Sequence, residues 1–246
     1  MTEKITAIVL DITRHNDKLN VVTLYTRNRG RIAFLSPAGG GKAGRLRQAR
    51  LQPLAVIEAD INFRQTSELQ RLGLFSLHTV WSDLYFHPIK RMIILFLSEF
   101  LNKLLRATMP DENLWDYIYN SLLLLDRMDS GISDFHIVFL SSLLSFVGIQ
   151  PDPATYHPGF IFNMESGIFS NPSSLTHNPA SPFILIGEEA RLAAILCRIN
   201  FSNIRALHLS GNLRNRILKN LLKYYSIHFP SSGNLKSLDV IHDIFH

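Results

Sequence analysis

The chain has 246 residues, of which 46% are apolar and 18% are charged, so it can bury a substantial core in one large domain or two smaller ones. Its net charge of +5 is unevenly distributed, because residues 1–80 carry 12 basic and 6 acidic side chains, whereas residues 81–246 carry a net charge of −1. This asymmetry indicates a polyanionic partner for the first part of the chain and another role for the remainder.

The single cysteine, Cys197, excludes an internal disulfide and a zinc site built from thiolates of this chain alone, and it is typical of a reducing compartment. The apolar runs are shorter than the roughly 18 residues that a membrane span needs. The short apolar stretch before Asp11 does not form a secretory signal. We therefore expect a cytoplasmic protein that does not bind membranes.

Residues 1–80 have the spacing of short strands. The connection over Ser36–Arg47 contains four glycines and a proline, which predict a mobile loop. Five short strands, a mobile loop and a basic surface favour an OB-type barrel, and apolar residues on both faces fit a sheet that closes on itself. The predicted strands are Lys4–Ile12, Leu19–Thr26, Arg31–Leu35, Arg50–Phe63 and Thr66–Leu72.

Helical spacing begins after His78. An irregular segment over Pro151–Pro182, with a short hairpin at Phe160–Phe169, interrupts it, and a short apolar tail covers Leu238–Phe245. The predicted class is α+β: a five-stranded OB-type barrel in domain 1–80 and a helical domain over 81–246 with an irregular insertion. The predicted helices are Ile89–Ala107, Glu112–Met128, Asp134–Val147, Gly187–Ile199 and Asn212–Ser226, with Asp111, Ser133 and Ser210 as N-caps.

No acidic residue occurs between Asp17 and Glu58, whereas eight cations do. Such a face can serve solubility alone, but clustered charge of one sign focuses electrostatic potential and favours a nucleic-acid surface. Tyr25 and Phe34 stack on bases if they face outward, and packing in the barrel core is the equally weighted alternative. The predicted phosphate contacts are Lys18, Arg27, Arg29, Arg31, Lys42, Arg45, Arg47 and Arg50.

The last predicted helix carries a second basic ridge, formed by Arg216, Lys219 and Lys223, opposite its apolar arc. Most ridges of this kind are merely solvated, and the alternative is a second contact for DNA or for an acidic peptide tail. Arg214 falls on the apolar arc, so it is predicted to pair with a carboxylate or to extend toward solvent.

Two motifs resemble catalytic sites but fail in detail. In Gly39–Gly44, Ala43 follows Lys42 where a phosphate-binding loop requires Ser or Thr. His242 and His246 flank an Asp where a zinc-protease helix has Glu. We predict no catalytic residue, no metal site and no cofactor, and therefore no enzyme.

Five segments carry a family resemblance: ITAIVLDITRHND, VVTLYTRNRGRIAFLSPAGGGK, LQPLAVIEADI, SEFLNKLLRATMPDENLWDYI and RILKNLLKYYSIHFPSSGNLKSLDVIHDIF. In this order they resemble the RecO family of bacterial recombination mediators over essentially the whole chain. Residues 1–80 are the most specific part, and the closing segment is similar to Bacteroides-type relatives. Many relatives carry a four-cysteine zinc module, but Pro151–Pro182 has no cysteine, so packing and turn residues are expected to hold this segment.

The resemblance implies a DNA repair protein that binds and anneals single-stranded DNA, with duplex binding left open. It implies two direct partners, RecR and the C-terminal tail of single-stranded-DNA-binding protein, and through them loading of the RecA recombinase at the nucleoid. The alternative from the residues is a non-enzymatic adaptor whose helical domain binds an acidic peptide tail and whose barrel binds RNA or protein.

Overall fold

The computed structural model describes residues 2–63, 69–106, 108–174, 181–204, 207 and 209–237. They form two compact units, one from the described parts of Met1–Arg127 and Leu235–Ile241, the other from the described part of Met128–Asn234. The predicted boundary between domains 1–80 and 81–246 does not coincide with the boundary between these two units. The division into those domains remains a prediction. The tail predicted over Leu238–Phe245 lies outside the described residues.

The first unit is built on a six-stranded sheet formed by β1 (Thr2–Arg14), β2 (Leu19–Thr26), β3 (Gly30–Pro37), β4 (Val56–Asn62), β5 (Leu69–Arg71) and β6 (Phe75–Leu77). The strand order is β5-β3-β2-β1-β4-β6. Neighbours are antiparallel except β3 and β5, which run parallel. The predicted α+β class, with an N-terminal curled OB-type sheet followed by helices, is confirmed.

The sheet has one strand more than predicted, because the chain changes partners after β5. Only Leu72–Leu74, here called the strand break, separate β5 from β6, yet these strands pair at opposite ends of the sheet. Leu72 N donates to Leu35 O at 2.9 Å and His78 N donates to Val56 O at 2.8 Å, which extends both ladders. The chain itself therefore joins the two ends of the curled sheet.

Apolar side chains on the two faces of the sheet have different roles. One set fills the interior of the barrel and includes Val22, Leu24, Phe34 and Ile57. The opposite face carries two helices, α2 (Pro88–Leu104) and α3 (Glu112–Arg127): Ser98 Oγ on α2 donates to Leu10 O at 2.5 Å, and Trp115 Nε1 on α3 donates to Tyr25 O at 3.2 Å. Barrel closure therefore explains one apolar face, and helix packing explains the other.

A helix, α1 (Gly41–Arg50), occupies the connection between β3 and β4. The mobile loop predicted over Ser36–Arg47 is therefore wrong for its second half. The loop was predicted from its glycines, because each Gly lowers helix stability by about 1 kcal/mol relative to Ala. Here they form the entry into the helix, with φ of +45° at Gly39 and +80° at Gly41, which glycine adopts without strain.

The predicted helices of the first unit are confirmed with shifted ends. α2 begins at Pro88 rather than Ile89 and ends at Leu104. Asp111 caps α3 as predicted, because its Oδ1 accepts hydrogen bonds from the backbone N–H groups of Asn113 at 2.7 Å and Leu114 at 3.3 Å.

The second unit contains three helices and a small sheet among its described residues. They are α4 (Phe135–Phe146), α5 (Gly187–Leu196), α6 (Gly211–His228), β7 (Ile161–Asn163), β8 (Ile168–Ser170) and β9 (Ile184–Leu185). A 3₁₀ turn over Ile132–Asp134 precedes α4. The predicted helices are confirmed with shifted ends, and the side chain of Ser210 caps α6 by accepting from Leu213 N at 3.4 Å. The cap predicted at Ser133 is wrong, because Ser133 lies inside the 3₁₀ turn and Asp134 precedes α4.

Strands β7 and β8 confirm the hairpin predicted within the irregular segment. An aromatic cluster holds it: the ring of Phe162 lies 4.8 Å from Phe169 and 5.5 Å from Tyr224, and Tyr156 lies 5.4 Å from Phe169, between centroids. Among the described residues, no three His, Cys, Asp or Glu side chains come together as a metal-binding group. Aromatic packing therefore provides cohesion here.

The prediction for Arg214 is confirmed. Its side chain is buried, Nε donates to Asp134 Oδ1 at 2.7 Å, and Nη2 donates to Leu209 O at 2.9 Å. A buried guanidinium needs such partners, because an unpaired charge in the core costs several kcal/mol.

Among the helices that the structure describes, none combines the length and apolar character required to span a bilayer.

Candidate nucleic-acid interface

Two hydrogen bonds link helix α1, through Ala38, to the turn before β2. Gln48 Nε2 donates to Ala38 O at 3.0 Å, and Ala38 N donates to Lys18 O at 2.8 Å. The turn that carries Lys18 therefore lies beside the entry of the helix. Two separate parts of the sequence, the turn before β2 and helix α1, therefore carry cations in this connected region.

Four predicted contacts form no ion pair with any described residue. Lys42 and Arg45 are exposed and lie one turn apart on α1, and the helix contains no acidic residue. Without a nearby carboxylate, their positive potential extends into solvent, where it attracts phosphates. We call the four residues the cationic surface: Lys18, Lys42, Arg45 and Arg50.

Arg27 and Arg29, at the turn between β2 and β3, are already paired with carboxylates. Arg27 Nη2 lies 2.9 Å from Asp116 Oδ2 and 3.6 Å from Glu112 Oε2. Arg29 donates through Nε and Nη2 to Glu3 Oε2 at 3.0 and 2.7 Å. Because both guanidinium groups are partly exposed, and surface ion pairs are worth at most about 1 kcal/mol, these carboxylates reduce the positive potential of the two arginines but hold them only weakly against a competing phosphate.

Arg31 and Arg47 are turned toward the protein. Arg31 donates through Nε and Nη2 to Asn102 Oδ1 at 3.2 and 3.0 Å. Burial, and then the charge of Arg106, lowers the pKa of Arg31, and burial lowers the pKa of Arg47. Nε and Nη2 of both side chains donate to protein acceptors, so both guanidinium groups are held against the protein.

The suggestion that Tyr25 and Phe34 stack on bases is wrong, because both side chains are buried, with exposures of 1% and 0%. Phe34 belongs to the barrel core. Tyr25 lies beneath α3, where its hydroxyl donates to Asp111 O at 3.3 Å and burial raises its pKa to about 12. The core-packing alternative therefore applies to both.

The second basic ridge is divided among different partners. Arg216 Nη2 donates to Glu188 Oε2 at 2.9 Å. Lys223 Nζ donates to Pro182 O and lies 5.1 Å from the centroid of the Phe183 ring. Lys219 is exposed. The three side chains therefore do not act as one continuous cationic ridge.

Beside this ridge the second unit has an apolar groove that sequence reasoning missed. Strand β7 and helices α5 and α6 form it, and Arg216 and Glu189 contribute charges to its lining. Local spacing gave no signal, because the groove exists only where elements that are distant in sequence meet; α4 and β9 also contribute to its lining. Its apolar lining includes Phe162, Leu192, Leu196, Ile217, Leu221 and Tyr224.

The comparisons with known proteins match the chain in two successive parts. The family model described as "Recombination protein O N terminal" matches residues 1–79, and the model described as "Recombination protein O C terminal" matches residues 87–239. A curled OB-type sheet and a helical part, matched in this order, define the class of non-enzymatic recombination proteins that act in DNA repair.

Relatives extend this similarity over the full chain. The chain is 32% identical to the DNA repair protein RecO of Bacteroides fragilis and 33% identical to that of Phocaeicola vulgatus, each covering 100% of both chains. It is 30% identical to RecO of Porphyromonas gingivalis over 97% of both chains. The chain belongs to the RecO family of DNA repair proteins, and the predicted family, DNA repair role and absence of catalysis are confirmed.

Proposed function

We propose that this RecO family member binds single-stranded DNA on the cationic surface and anneals complementary strands. The observation that carries the proposal is the set of four cations that form no ion pair within the described part of the chain: Lys18, Lys42, Arg45 and Arg50. Each phosphate contact releases counterions, so binding requires little sequence readout and weakens steeply with salt. In the cell, this activity operates in the cytoplasm at the nucleoid.

The test is the salt dependence of binding to a labelled oligothymidylate, followed by fluorescence anisotropy. Replacing Lys42 and Arg45 by Ala should reduce the steepness of log K against log salt by about 1.4, since each single-strand phosphate contact contributes about 0.7. The matched control is Arg91→Ala, which removes an exposed cation on α2.

An unchanged slope in the double variant would contradict the assignment of this surface. A slope reduced by about 0.7 in Arg91→Ala, half of the effect of the double variant, would show that net charge, rather than α1, determines affinity. Tighter binding of RNA than of DNA of equal length would favour the alternative, an adaptor whose barrel binds RNA or protein.

We infer that the apolar groove binds the acidic, apolar-ended C-terminal tail of single-stranded-DNA-binding protein. An apolar lining suits the last side chains of such a tail. Arg216 at the groove suits a carboxylate, because its ion pair with Glu188 is exposed and therefore weak. Cooperation with RecR and loading of RecA complete the proposed role, and they rest on family membership.

A labelled peptide with an acidic stretch and a terminal Phe tests the groove. Leu192→Glu introduces a carboxylate into the lining and should weaken binding at least tenfold, through lost apolar contact and charge repulsion. Ile186→Glu is the control, because Ile186 is 60% exposed and does not line the groove. Equal binding by both variants would place the peptide elsewhere.

A further inference from the structure

Arg47 lies in the middle of α1, but its side chain runs along the barrel. Nε donates to Ser36 Oγ at 3.0 Å, and Nη2 donates to Leu72 O at 2.9 Å and Gly73 O at 2.8 Å. The guanidinium carbon lies 4.8 Å from the centroid of the Phe75 ring. One side chain therefore connects α1 with β3, the strand break and β6.

The two backbone acceptors of Arg47 lie where the sheet changes partners. Leu72 and Gly73 belong to the strand break, at which the chain leaves β3 and joins β4. Carbonyl groups at such a break lose the regular ladder that would pair them. Leu72 is buried, where an unpaired carbonyl is costly, whereas Gly73 is exposed. Arg47 donates to both carbonyls and, in the same contacts, fixes the helix.

We propose that Arg47 is a positioning residue that holds α1 against the strand break, so that Lys42 and Arg45 are presented to phosphates, and that Arg47 does not itself contact DNA. The consequence for DNA rests on the proposed function. The structural part, that Arg47 fixes α1, can be measured without DNA.

Arginine suits this task because its planar fork directs several donors to acceptors that lie in different directions. Lysine carries the same charge but a single ammonium group on a flexible stem, so it cannot reproduce the three hydrogen bonds. A phosphate contact is different, since a point charge is sufficient there. Replacement by Lys therefore separates positioning from direct contact.

The first experiment measures amide hydrogen exchange of the full chain without DNA. Arg47→Ala and Arg47→Lys should both accelerate exchange in α1 and in residues 72–77, by about tenfold, since hydrogen bonds to a charged group are lost. Arg45→Ala, which removes the same charge from the same helix, should leave exchange unchanged. Unchanged exchange in Arg47→Ala would overturn the proposal.

Ser36→Ala provides a milder variant if Arg47→Ala does not fold. It removes the acceptor of Arg47 Nε but leaves both carbonyl contacts, so exchange in α1 should increase by less than in Arg47→Lys. If amide hydrogen exchange in both Ser36→Ala and Arg47→Lys equals that of the unmodified protein, the proposal is overturned.

The second experiment compares salt slopes with a labelled oligothymidylate. Arg45→Ala should make the slope shallower by about 0.7, and Arg45→Lys should restore it. Arg47→Ala should weaken binding about tenfold at every salt concentration without changing the slope. The helix still contacts the same phosphates, but binding must first order it, which costs free energy. Arg47→Lys should not restore affinity.

The outcomes separate the two proposals. A shallower slope in Arg47→Ala that Lys restores would make Arg47 a phosphate contact and overturn its positioning role. An unchanged slope in Arg45→Ala, together with faster exchange in Arg47→Ala, would overturn the proposed DNA surface while supporting Arg47 as the residue that holds α1.

Discussion

Arg45 and Arg47 are two residues apart on one helix, and their surroundings give them different roles. Arg45 is exposed and forms no ion pair with a described residue, whereas Arg47 donates to three protein acceptors. A count of charges along the sequence treats them alike. At the scale of single residues, the hydrogen-bond partners decide which cation is available to a ligand.

Asp126 shows how one carboxylate orders a connecting segment. It accepts hydrogen bonds from the backbone N–H groups of Ser82, Asp83 and Leu84 at 3.0, 2.9 and 2.8 Å, and from Ser82 Oγ at 2.7 Å. Burial acts to raise the pKa of Asp126, but these hydrogen bonds outweigh it, and the net shift is downward. The charged carboxylate thus stabilises the segment that leads into α2.

We expect Asp126→Asn to lower the free energy of unfolding by about 1–3 kcal/mol at pH 7, as measured by urea denaturation. Because the folded pKa is depressed, this contribution is complete above the unfolded pKa of about 3.9 and disappears as the pH falls through the folded value. The difference between the two proteins should therefore shrink in acid. The control is Asp129→Asn, an exposed position; a difference independent of pH would contradict this account.

At the scale of elements, α1 depends on a close backbone contact between its first turn and the preceding glycines. A Cβ atom at Gly44 would lie 2.1 Å from Gly39 O and 2.4 Å from Gly39 C. Replacing Gly by Ala within a helix ordinarily adds about 1 kcal/mol of stability. Here the clash with backbone atoms reverses that sign.

Gly44→Ala should therefore displace α1 and weaken binding of single-stranded DNA several-fold, with faster hydrogen exchange in the helix. Gly40→Ala is the matched control, since a Cβ atom there meets no atom within 4 Å. Tighter binding or slower exchange in Gly44→Ala would show that helix propensity, rather than the contact with Gly39, dominates at this position.

At the scale of the whole molecule, the basic first part of the chain and the mainly apolar groove have different expected partners. Residues 1–80 hold the net charge of +6, which suits a polyanion, and the groove of the second unit is mainly apolar, which suits a peptide. Under the proposed function, the two surfaces together would let the protein act on DNA that is already covered by single-stranded-DNA-binding protein.

An annealing assay with complementary strands tests this combination. The protein should anneal bare strands and covered strands, and truncation of the acidic tail of the covering protein should abolish only the second activity. The Lys42→Ala and Arg45→Ala double variant should slow both reactions, because charge neutralisation is common to them. Equal annealing with intact and truncated tails would contradict a role for the groove.

Most elements of the fold could be predicted because their signals are local. The hairpin over Phe160–Phe169 and the caps at Asp111 and Ser210 depend on residues within a few positions of one another, and the structure contains all three. Arg214 was predictable for a related reason, since its angle on α6 already placed it on the buried face.

The sequence by itself determined the α+β class, the RecO family and the location of the basic segment, because periodicity, caps and charge are properties of neighbouring residues. Only the tertiary structure decided that α1 is a helix, that Tyr25 and Phe34 are buried, and that half of the predicted cations are engaged. These outcomes depend on distant partners: Asp116, which pairs with Arg27, lies 89 residues away along the chain, and local spacing carries no record of such contacts.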